Sequence, residues 1–303
     1  MRFFNKGKYL PVSMRYFGFE GLLLAFLIVS CNNKQQDRET VSETTIEQDS
    51  VENYESDIFD ESLSEEEAER SDEKLMCNVD EFFGDFIFLF VNNHKLQLNR
   101  IDFPLPSIKI IDGKPDTTWF EQKQWIHDRI FPDKEYYTVL FSHKNQMDME
   151  NNTNLQHINV EQIFLNERYI KNYHFAKEQG VWRLNQISYT SFPRSGMESF
   201  LDFYHKFVSN EQFQQQSVAD PLNYITSDPE DDFSTIEGTL SSEQWMAFRP
   251  ELPQKMITNI CYGQKFDQPS RMIFIKRGFS SGMMNILTFT HKNGKWKLIS
   301  YEN

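Results

Sequence analysis

Phenylalanine recurs at helical spacing in the second half of the chain. Phe200, Phe203 and Phe207 fall on one side of a helix, whereas Asp202 and Lys206 fall on other sides. Apolar residues three and four positions apart form the buried stripe of an amphipathic helix. This segment therefore predicts a helix that packs a Phe-rich face against the protein core.

The same pattern occurs 117 residues earlier in the chain. Nine residues of the first copy recur at this constant offset: Phe83, Asp85, Phe86, Phe90, Val91, Asn93, Gln97, Pro104 and Leu105. The apolar run at 86–91 could by itself be a buried strand, but its amphipathic copy predicts a helix in both places. The copies also end alike, with Gly-Val-Trp-Arg-Leu at 180–184 and Gly-Lys-Trp-Lys-Leu at 294–298. We therefore predict two copies of one domain, 75–191 and 192–303, each of about 115 residues.

Between these landmarks each copy holds an extended stretch, a short helix and four strands. The extended stretches contain the Pro-Leu pairs that begin at 104 and 221, and each short helix carries a tryptophan, Trp125 or Trp245. Alternating apolar residues predict strands at 136–141, 159–165, 169–177 and 181–188, and again at 256–262, 271–276, 285–291 and 295–301. This order predicts an α+β fold in which N-terminal helices pack on a curved antiparallel sheet.

A short apolar run near the N-terminus ends in Ile-Val-Ser-Cys at 28–31. The run is about ten residues long, half of the roughly 20 that a membrane-spanning helix needs, and basic residues precede it. These features predict a signal peptide that starts at Met1 or Met14.

The order aliphatic, small, small, cysteine resembles the lipobox of bacterial lipoproteins. The resemblance implies that residues 1–30 are removed and that Cys31 carries several acyl chains, palmitate-like anchors that hold a protein on a membrane. Asn32 after the cysteine favours the outer membrane, with the protein facing the periplasm or exposed at the surface. A conventional signal peptide, in which Cys31 is incidental, is the alternative.

Most of the negative charge lies next to this anchor. Residues 31–74 hold sixteen acidic and four basic residues, a net charge of −12, whereas the whole chain carries −14. Since residues 1–30 carry +3, residues 75–303 carry −5. Such a segment cannot bury enough apolar surface to fold, so it predicts a disordered acidic tether and argues against nucleic acid as a partner. A tail that binds cations or a basic partner is the alternative.

The motifs Phe-x-x-Phe-x-x-x-Phe and Gly-x-Trp-Arg/Lys-Leu, in this helix and strand order, resemble the nuclear transport factor 2-like (NTF2-like, or cystatin-like) cone. Together with the lipobox and the acidic spacer, the two copies resemble an uncharacterised family of Bacteroidetes lipoproteins made of tandem domains of this type. The resemblance implies two cone-like domains and an envelope location. It implies no activity, because that family has no known function.

Motifs for catalysis, metals and cofactors are absent from the sequence. It contains no HExxH, no CxxC, no P-loop, no GxGxxG and no GxSxG. We therefore assign no catalytic residue, no metal ligand and no cofactor. His127 and Asp128 are the one adjacent pair of histidine and carboxylate, and we expect both to be exposed because neighbouring helix residues do not share a face.

One pair of residues recurs in both copies at a spacing that could carry function. Trp125 and Arg129, like Trp245 and Arg249, are four positions apart and would share a face of the short helix. An arginine beside an indole can stack on it or bind a carboxylate. These four residues are the candidate ligand contacts. The alternative, which we favour for both tryptophans, is that the indole packs in the core.

Three further features concern covalent chemistry. Asp-Ser-Val around Ser50 and Asp-Thr-Thr around Thr117 resemble an O-glycosylation acceptor of Bacteroidetes, and Ser50 is favoured because the tether is accessible. The N-x-T sequon at Asn151, formed with Asn152 and Thr153, is interpreted as accidental in a bacterial envelope protein. Cys77 and Cys261 could form a disulfide, but two isolated cysteines are more often small core residues.

We expect a non-enzymatic binding or scaffolding module that is anchored to the membrane and contacts an envelope protein or a glycan. An envelope enzyme, or a small-molecule binder that uses the cavity of one cone, is the alternative. An enzyme should bring carboxylates, histidine or tyrosine of perturbed pKa together in one cavity. A scaffold should have filled cones and an exposed apolar or aromatic patch.

Overall fold

Both Phe-rich segments form the predicted helices, and each is followed at once by a second, shorter helix. In the computed structural model, the first pair is α1 (Phe83–Asn92) and α2 (His94–Arg100), and the second pair is α3 (Glu198–Ser209) and α4 (Glu211–Gln216). Asparagine begins each shorter helix, since the side chains of Asn93 and Asn210 accept hydrogen bonds at 2.9 Å from Leu96 N and Phe213 N. Asparagine is a preferred helix cap. The sequence repeat at these positions therefore encodes a break between two helices.

The described residues are 79–131, 135–279 and 281–303. The predicted leader 1–30, the tether 31–74 and the residues Cys31, Ser50 and Cys77 lie outside them. Within the described ranges, no helix has the length and apolar character needed to cross a membrane.

The described residues also form twelve strands, in two sets of six. The first set is β1 (Leu105–Ile111), β2 (Lys114–Phe120), β3 (Tyr136–Phe141), β4 (His157–Phe164), β5 (Tyr169–Glu178) and β6 (Val181–Ser191). The second set is β7 (Val218–Asp228), β8 (Asp231–Leu240), β9 (Met256–Cys261), β10 (Arg271–Gly278), β11 (Met284–Lys292) and β12 (Lys295–Glu302). A helix, α5 (Ser242–Phe248), lies between β8 and β9, and a 3-10 helix (Lys144–Asn151) lies between β3 and β4.

The eight strands predicted from alternation are confirmed, each within three residues at either end. The hairpins β1–β2 and β7–β8 were predicted only as one extended stretch each. The physical reason is visible in β2, where every side chain except that of Phe120 is exposed. A strand without a buried face has no alternating pattern to detect.

All twelve strands belong to one sheet, and most neighbours run antiparallel. The order is β2-β1-β6-β5-β4-β9-β3-β10-β11-β12-β7-β8. Each strand of the first set has an equivalent in the second, from β1 and β7 to β6 and β12. Equivalent strands come in the same order from either end of the sheet. The protein is therefore α+β, with a large, mainly antiparallel sheet and few helices.

The central strands are exchanged between the two sets. β9, from the second half, pairs antiparallel with β4 along Asn159–Phe164, while β3, from the first half, pairs antiparallel with β10. β3 and β9 then meet each other in parallel, with a single register pair, Thr138 and Asn259. Each half therefore contributes one strand, β3 or β9, that pairs with strands of the other half.

Side chains supply the hydrogen bonds that the short parallel pairing lacks. Leu140 N donates to Asn259 Oδ1 at 2.9 Å, and Gln264 Nε2 donates to Leu140 O at 2.9 Å. Asn259 Nδ2 also donates to Glu161 Oε2 at 2.7 Å. Burial raises the pKa of Glu161 to about 7, and the bond from Asn259 partly offsets that rise. Buried backbone atoms of β3 thus find hydrogen-bond partners across its junction with β9, which we call the seam.

Two hydrophobic cores pack on opposite faces of this sheet. Val139 and Phe141 of β3 belong to the core under α1, which we call the first core, whereas Leu140 between them belongs to the second core, under α3. Successive residues of a strand point to opposite faces. β10 repeats the pattern, because Ile273 packs in the first core and Phe274 in the second. Each core therefore extends onto strands of the other half.

We expect residues 75–303 to unfold in one cooperative thermal transition, because each half contributes a strand and core residues to the other. Neither 75–191 nor 192–303 expressed alone should reproduce that transition in differential scanning calorimetry. An equimolar mixture of the two fragments is the control and should restore it. A fragment that melts cooperatively by itself at the temperature of the intact protein would contradict this expectation.

Candidate functional site

The predicted short helix of the second half forms as α5. Ser241 begins it, since its hydroxyl accepts a hydrogen bond from Gln244 N at 3.1 Å. Trp245 is fully buried in the second core, with its ring edge-on to Tyr301 at 5.2 Å between centroids. Arg249 follows the last helical residue.

The corresponding helix of the first half is absent, so the prediction that Trp125 and Arg129 share a helix face is wrong. The segment 122–124 forms one 3-10 turn, and Trp125 then takes an extended conformation. The buried Gln97 holds this segment: its Oε1 accepts from Trp125 Nε1 at 3.0 Å and from Asp128 N at 3.1 Å, and its Nε2 donates to Asp128 O at 2.7 Å. Ile126 and His127 also favour a helix less than the Met and Ala at the same positions of the second half.

The two candidate arginines have different surroundings. Arg249 is half-buried beside a cleft of about 400 Å³, where its guanidinium donates to Gln214 Oε1 and, at 2.5 Å, to Glu211 Oε1. Arg129 is exposed next to Phe131. Gln97 and Gln214 are equivalent positions of the repeat, so the same buried amide contacts the Trp segment in one half and the arginine in the other. The repeat contained these glutamines, but their role was not predicted.

A polar cluster converges on the helix-facing side of the sheet in the first half. Tyr173 on β5 donates its hydroxyl to Asp128 Oδ2 at 2.7 Å, and Lys171 Nζ lies 3.2 Å from the same oxygen. Gln162 on β4 points to the same side, where its Nε2 donates to Ile130 O at 2.7 Å. His127 and Asp128 are therefore half-buried rather than exposed, and His127 Nε2 lies 3.0 Å from Val91 O.

Burial and a neighbouring carboxylate keep the phenol of Tyr173 protonated. Burial raises the pKa of Tyr173 far above its ordinary value, and the carboxylate of Asp128 raises it further. The phenol is therefore a hydrogen-bond donor rather than a base at neutral pH. Lys171 supplies the positive charge that balances Asp128. The four side chains satisfy one another and fix segment 125–131 on the sheet.

Next to this cluster lies a partly exposed aromatic surface, which we call the aromatic shelf: Phe164, Tyr169 and Tyr189. Phe164 and Tyr169 stack at 4.7 Å with an interplanar angle of 23°, and Tyr189 lies 5.9 Å from Tyr169. Lys109 Nζ is 4.7 Å from the centre of the Tyr189 ring. The strand register places Lys171 directly opposite Tyr189. Two cations therefore border three aromatic rings.

The second half does not repeat the cluster or the shelf. Aligning Trp182 with Trp296 places Leu287 where the first half has Tyr173, Asn285 where it has Lys171, and Lys276 where it has Gln162. Lys276 Nζ donates to Glu251 O at 2.9 Å, much as Gln162 donates to Ile130 O. Both side chains therefore bind a backbone carbonyl in the loop after the tryptophan segment, although one is an amine and the other an amide.

Aromatic side chains fill the space between helices and sheet in both halves. Phe175 packs edge to face on Phe86 and on Phe90 in the first core, at centroid distances of 5.7 and 5.3 Å. Phe207 packs on Phe289 in the same manner in the second core. Cys261 is a buried free thiol whose pKa burial raises to about 12. No three His, Cys, Asp or Glu side chains of the described residues are grouped to hold a metal ion.

Comparison with known proteins gives a family and a fold. A family model described as a domain of unknown function (DUF4348) matches residues 60–303. The crystal structure of an NTF2-like protein from Bacteroides fragilis is similar, with 37% sequence identity and a TM-score of 0.70. The similarity covers 74% of this chain and 96% of that one. No curated protein compared with the chain matches it.

We expect Trp245→Ala to lower the free energy of unfolding by about 3–5 kcal/mol, because it removes a large aromatic from a packed core. Trp125→Ala should cost less, since Trp125 is half-buried. Arg129→Ala is the control and should change stability little, because Arg129 is exposed. Urea unfolding followed by circular dichroism measures all three. Equal losses for Trp245→Ala and Arg129→Ala would contradict the expectation.

Proposed function

We propose that this chain, which belongs to the family of the domain of unknown function DUF4348, is a membrane-anchored envelope lipoprotein that binds a partner without catalysis. Residues 75–191 and 192–303 would form two tandem NTF2-like cone domains that share one sheet. The repeated order of helices and strands supports this division. Cys31 would carry the lipid at the outer membrane, and residues 31–74 would hold the cones away from it.

The observation that carries the binding role is that the titratable side chains which converge in the first half bind one another. An enzyme needs a cavity in which a titratable group is free to exchange a proton with a substrate. Tyr173, Asp128 and Lys171 do converge, but each is already bound to another member of the cluster. This arrangement supports a structural role for the cluster. A partner would therefore bind at an exposed surface of the protein.

The surface that best fits recognition is the aromatic shelf. Stacked rings bind flat ligands that present an apolar face, and neighbouring cations and carboxylates bind polar groups at the ligand edge. A sugar ring has this combination of faces and edges. We therefore propose a glycan of the envelope as the ligand, bound on Tyr169 and Tyr189 with Lys109 beside it. Nucleic acid is disfavoured by the net charge of −14.

The anchor is tested by changing Cys31→Ala and separating cell membranes from soluble proteins. We expect the variant to leave the membrane fraction, because the apolar run of the leader is about half as long as a membrane-spanning helix. Cys77→Ala is the matched control and should sediment like the natural protein. If Cys31→Ala still sediments with the outer membrane to the natural extent, the anchor lies elsewhere.

The shelf is tested with Tyr169→Ala and Tyr189→Ala on a panel of envelope oligosaccharides. We expect each variant to weaken glycan binding at least about tenfold, because truncating an aromatic residue that anchors a partner typically costs roughly 2 kcal/mol or more. Tyr224→Ala removes a similar half-buried ring, stacked on Tyr301 at 5.7 Å in the second half, and should bind normally.

Binding that survives both shelf variants would refute this site. Release of new reducing ends from a bound oligosaccharide would instead support the alternative, an enzyme that uses one of the cones. In that case Tyr173→Phe should abolish the release while leaving binding on the shelf intact.

A further inference from the structure

A second cleft, of about 640 Å³, opens between α3 and the β11–β12 hairpin of the second half. α3 contributes Lys206, and the hairpin contributes Lys295 and Lys297. All three lysines are exposed. The cleft is therefore a cationic surface on a region, 75–303, whose net charge is −5.

The base of the cleft is a rigid aromatic group. Trp296 is 6% exposed, and its Nε1 donates to Ser199 Oγ at 3.0 Å. His291 stacks on the indole at 5.0 Å, and Phe203 lies nearly parallel to it at 6.2 Å. The indole cannot move without breaking these contacts, so the lysines surround a fixed apolar base.

No carboxylate neutralises these lysines. Within the described ranges, Lys206, Lys295 and Lys297 have no carboxylate oxygen within 4.0 Å. Asp202 also borders the cleft, but it is bound to Arg168, which also binds Glu198 at 2.8 Å. The nearest acidic group is thus already engaged.

The equivalent surface of the first half carries cations that are neutralised within the chain. Asp80 binds Arg100 through two hydrogen bonds of 2.8 and 2.9 Å and accepts a third, at 2.8 Å, from Trp182 N. Asp102 binds Arg183, the residue that corresponds to Lys297.

At the offset of 117, the positions of Asp80 and Asp102 are occupied by Met197 and Ala219 in the second half. The two acidic partners are therefore missing from one copy only. The indole is kept, and so is one cation, Lys297 in place of Arg183, whereas the carboxylate that Asp102 gives Arg183 is not. An external anion would therefore take the place of that carboxylate beside Lys297.

We propose that this cleft binds a phosphate monoester, with Lys206, Lys295 and Lys297 around the phosphate and the carrier of the phosphate against the aromatic base. Lysine binds phosphate as a compact point charge, and three lysines suit a doubly charged group better than a single carboxylate. The phosphate could be part of a soluble sugar phosphate or of a lipid headgroup. The site is separate from the aromatic shelf, so either proposal can fail alone.

The test uses the mature chain with Cys31→Ala, so that the lipid anchor does not contribute to membrane binding. Titration calorimetry with glucose 6-phosphate, and with glucose as the uncharged reference, measures the soluble ligand. Sedimentation with phosphatidylcholine vesicles, with and without phosphatidic acid, measures the lipid. We expect Lys206→Gln and Lys297→Gln each to weaken phosphate binding about tenfold, as expected for the loss of one hydrogen bond to a charged group.

Two further variants sharpen the test. Ala219→Asp places in the second half the carboxylate that Asp102 provides in the first, and it should abolish binding while the fold is retained. Lys265→Gln removes an exposed lysine elsewhere and should bind normally.

Binding of glucose 6-phosphate with this variant pattern supports the proposal with a soluble ligand. Binding only to vesicles with phosphatidic acid, with the same pattern, supports it with a lipid. Failure to bind either phosphate, equal binding of glucose, or binding that the cleft variants leave unchanged would overturn it.

Discussion

The exchange of β3 and β9 between the two halves is the constraint on which the rest of the structure depends. The two strands share only one parallel register pair. The centre of the sheet therefore relies on two side chains that bind the backbone of Leu140: Asn259, which accepts from its N–H, and Gln264, which donates to its carbonyl. Because β3 faces the first core with one side and the second core with the other, both cores are built around this seam. Neither half can therefore complete its core without the other.

This shared frame explains why the halves keep many residues of their cores and differ in several polar residues at the border of those cores. Trp182 and Trp296 occupy the same place in the two cores, and a change at either would create a cavity. Leucine occupies the position of Tyr173 in the second half, and Met197 and Ala219 occupy the positions of Asp80 and Asp102. Polar groups at the border of a core can change in this way because they bind mainly one another. Two different surfaces, the aromatic shelf and the cationic cleft, therefore lie on one repeated order of helices and strands.

How far the sequence predicts the structure depends on whether the signal is local. The strands β3 to β6 and β9 to β12 follow from alternation, because each has a buried face. β2 has no such face and was missed. The absent helix at Trp125 is a tertiary effect, since Gln97 lies almost thirty residues away and binds the segment in an extended form. For the same reason the aromatic shelf was not predicted: its rings come from β4, β5 and β6, and only the register brings them together.

The polar groups at the seam and in the cluster also explain why burial does not by itself make a catalytic residue. Glu161 has a raised pKa of about 7, yet its carboxyl lies between β4 and β9 and accepts a hydrogen bond from Asn259. Tyr173 is perturbed still more, and it is bound to Asp128. Perturbed groups mark active sites only where a substrate can reach them. Here both are buried in contacts that hold strands or segments in place, whereas the rings of the shelf and the lysines of the cleft are accessible. The two perturbed groups therefore hold the architecture together, and the accessible rings and lysines are the groups that we propose for recognition.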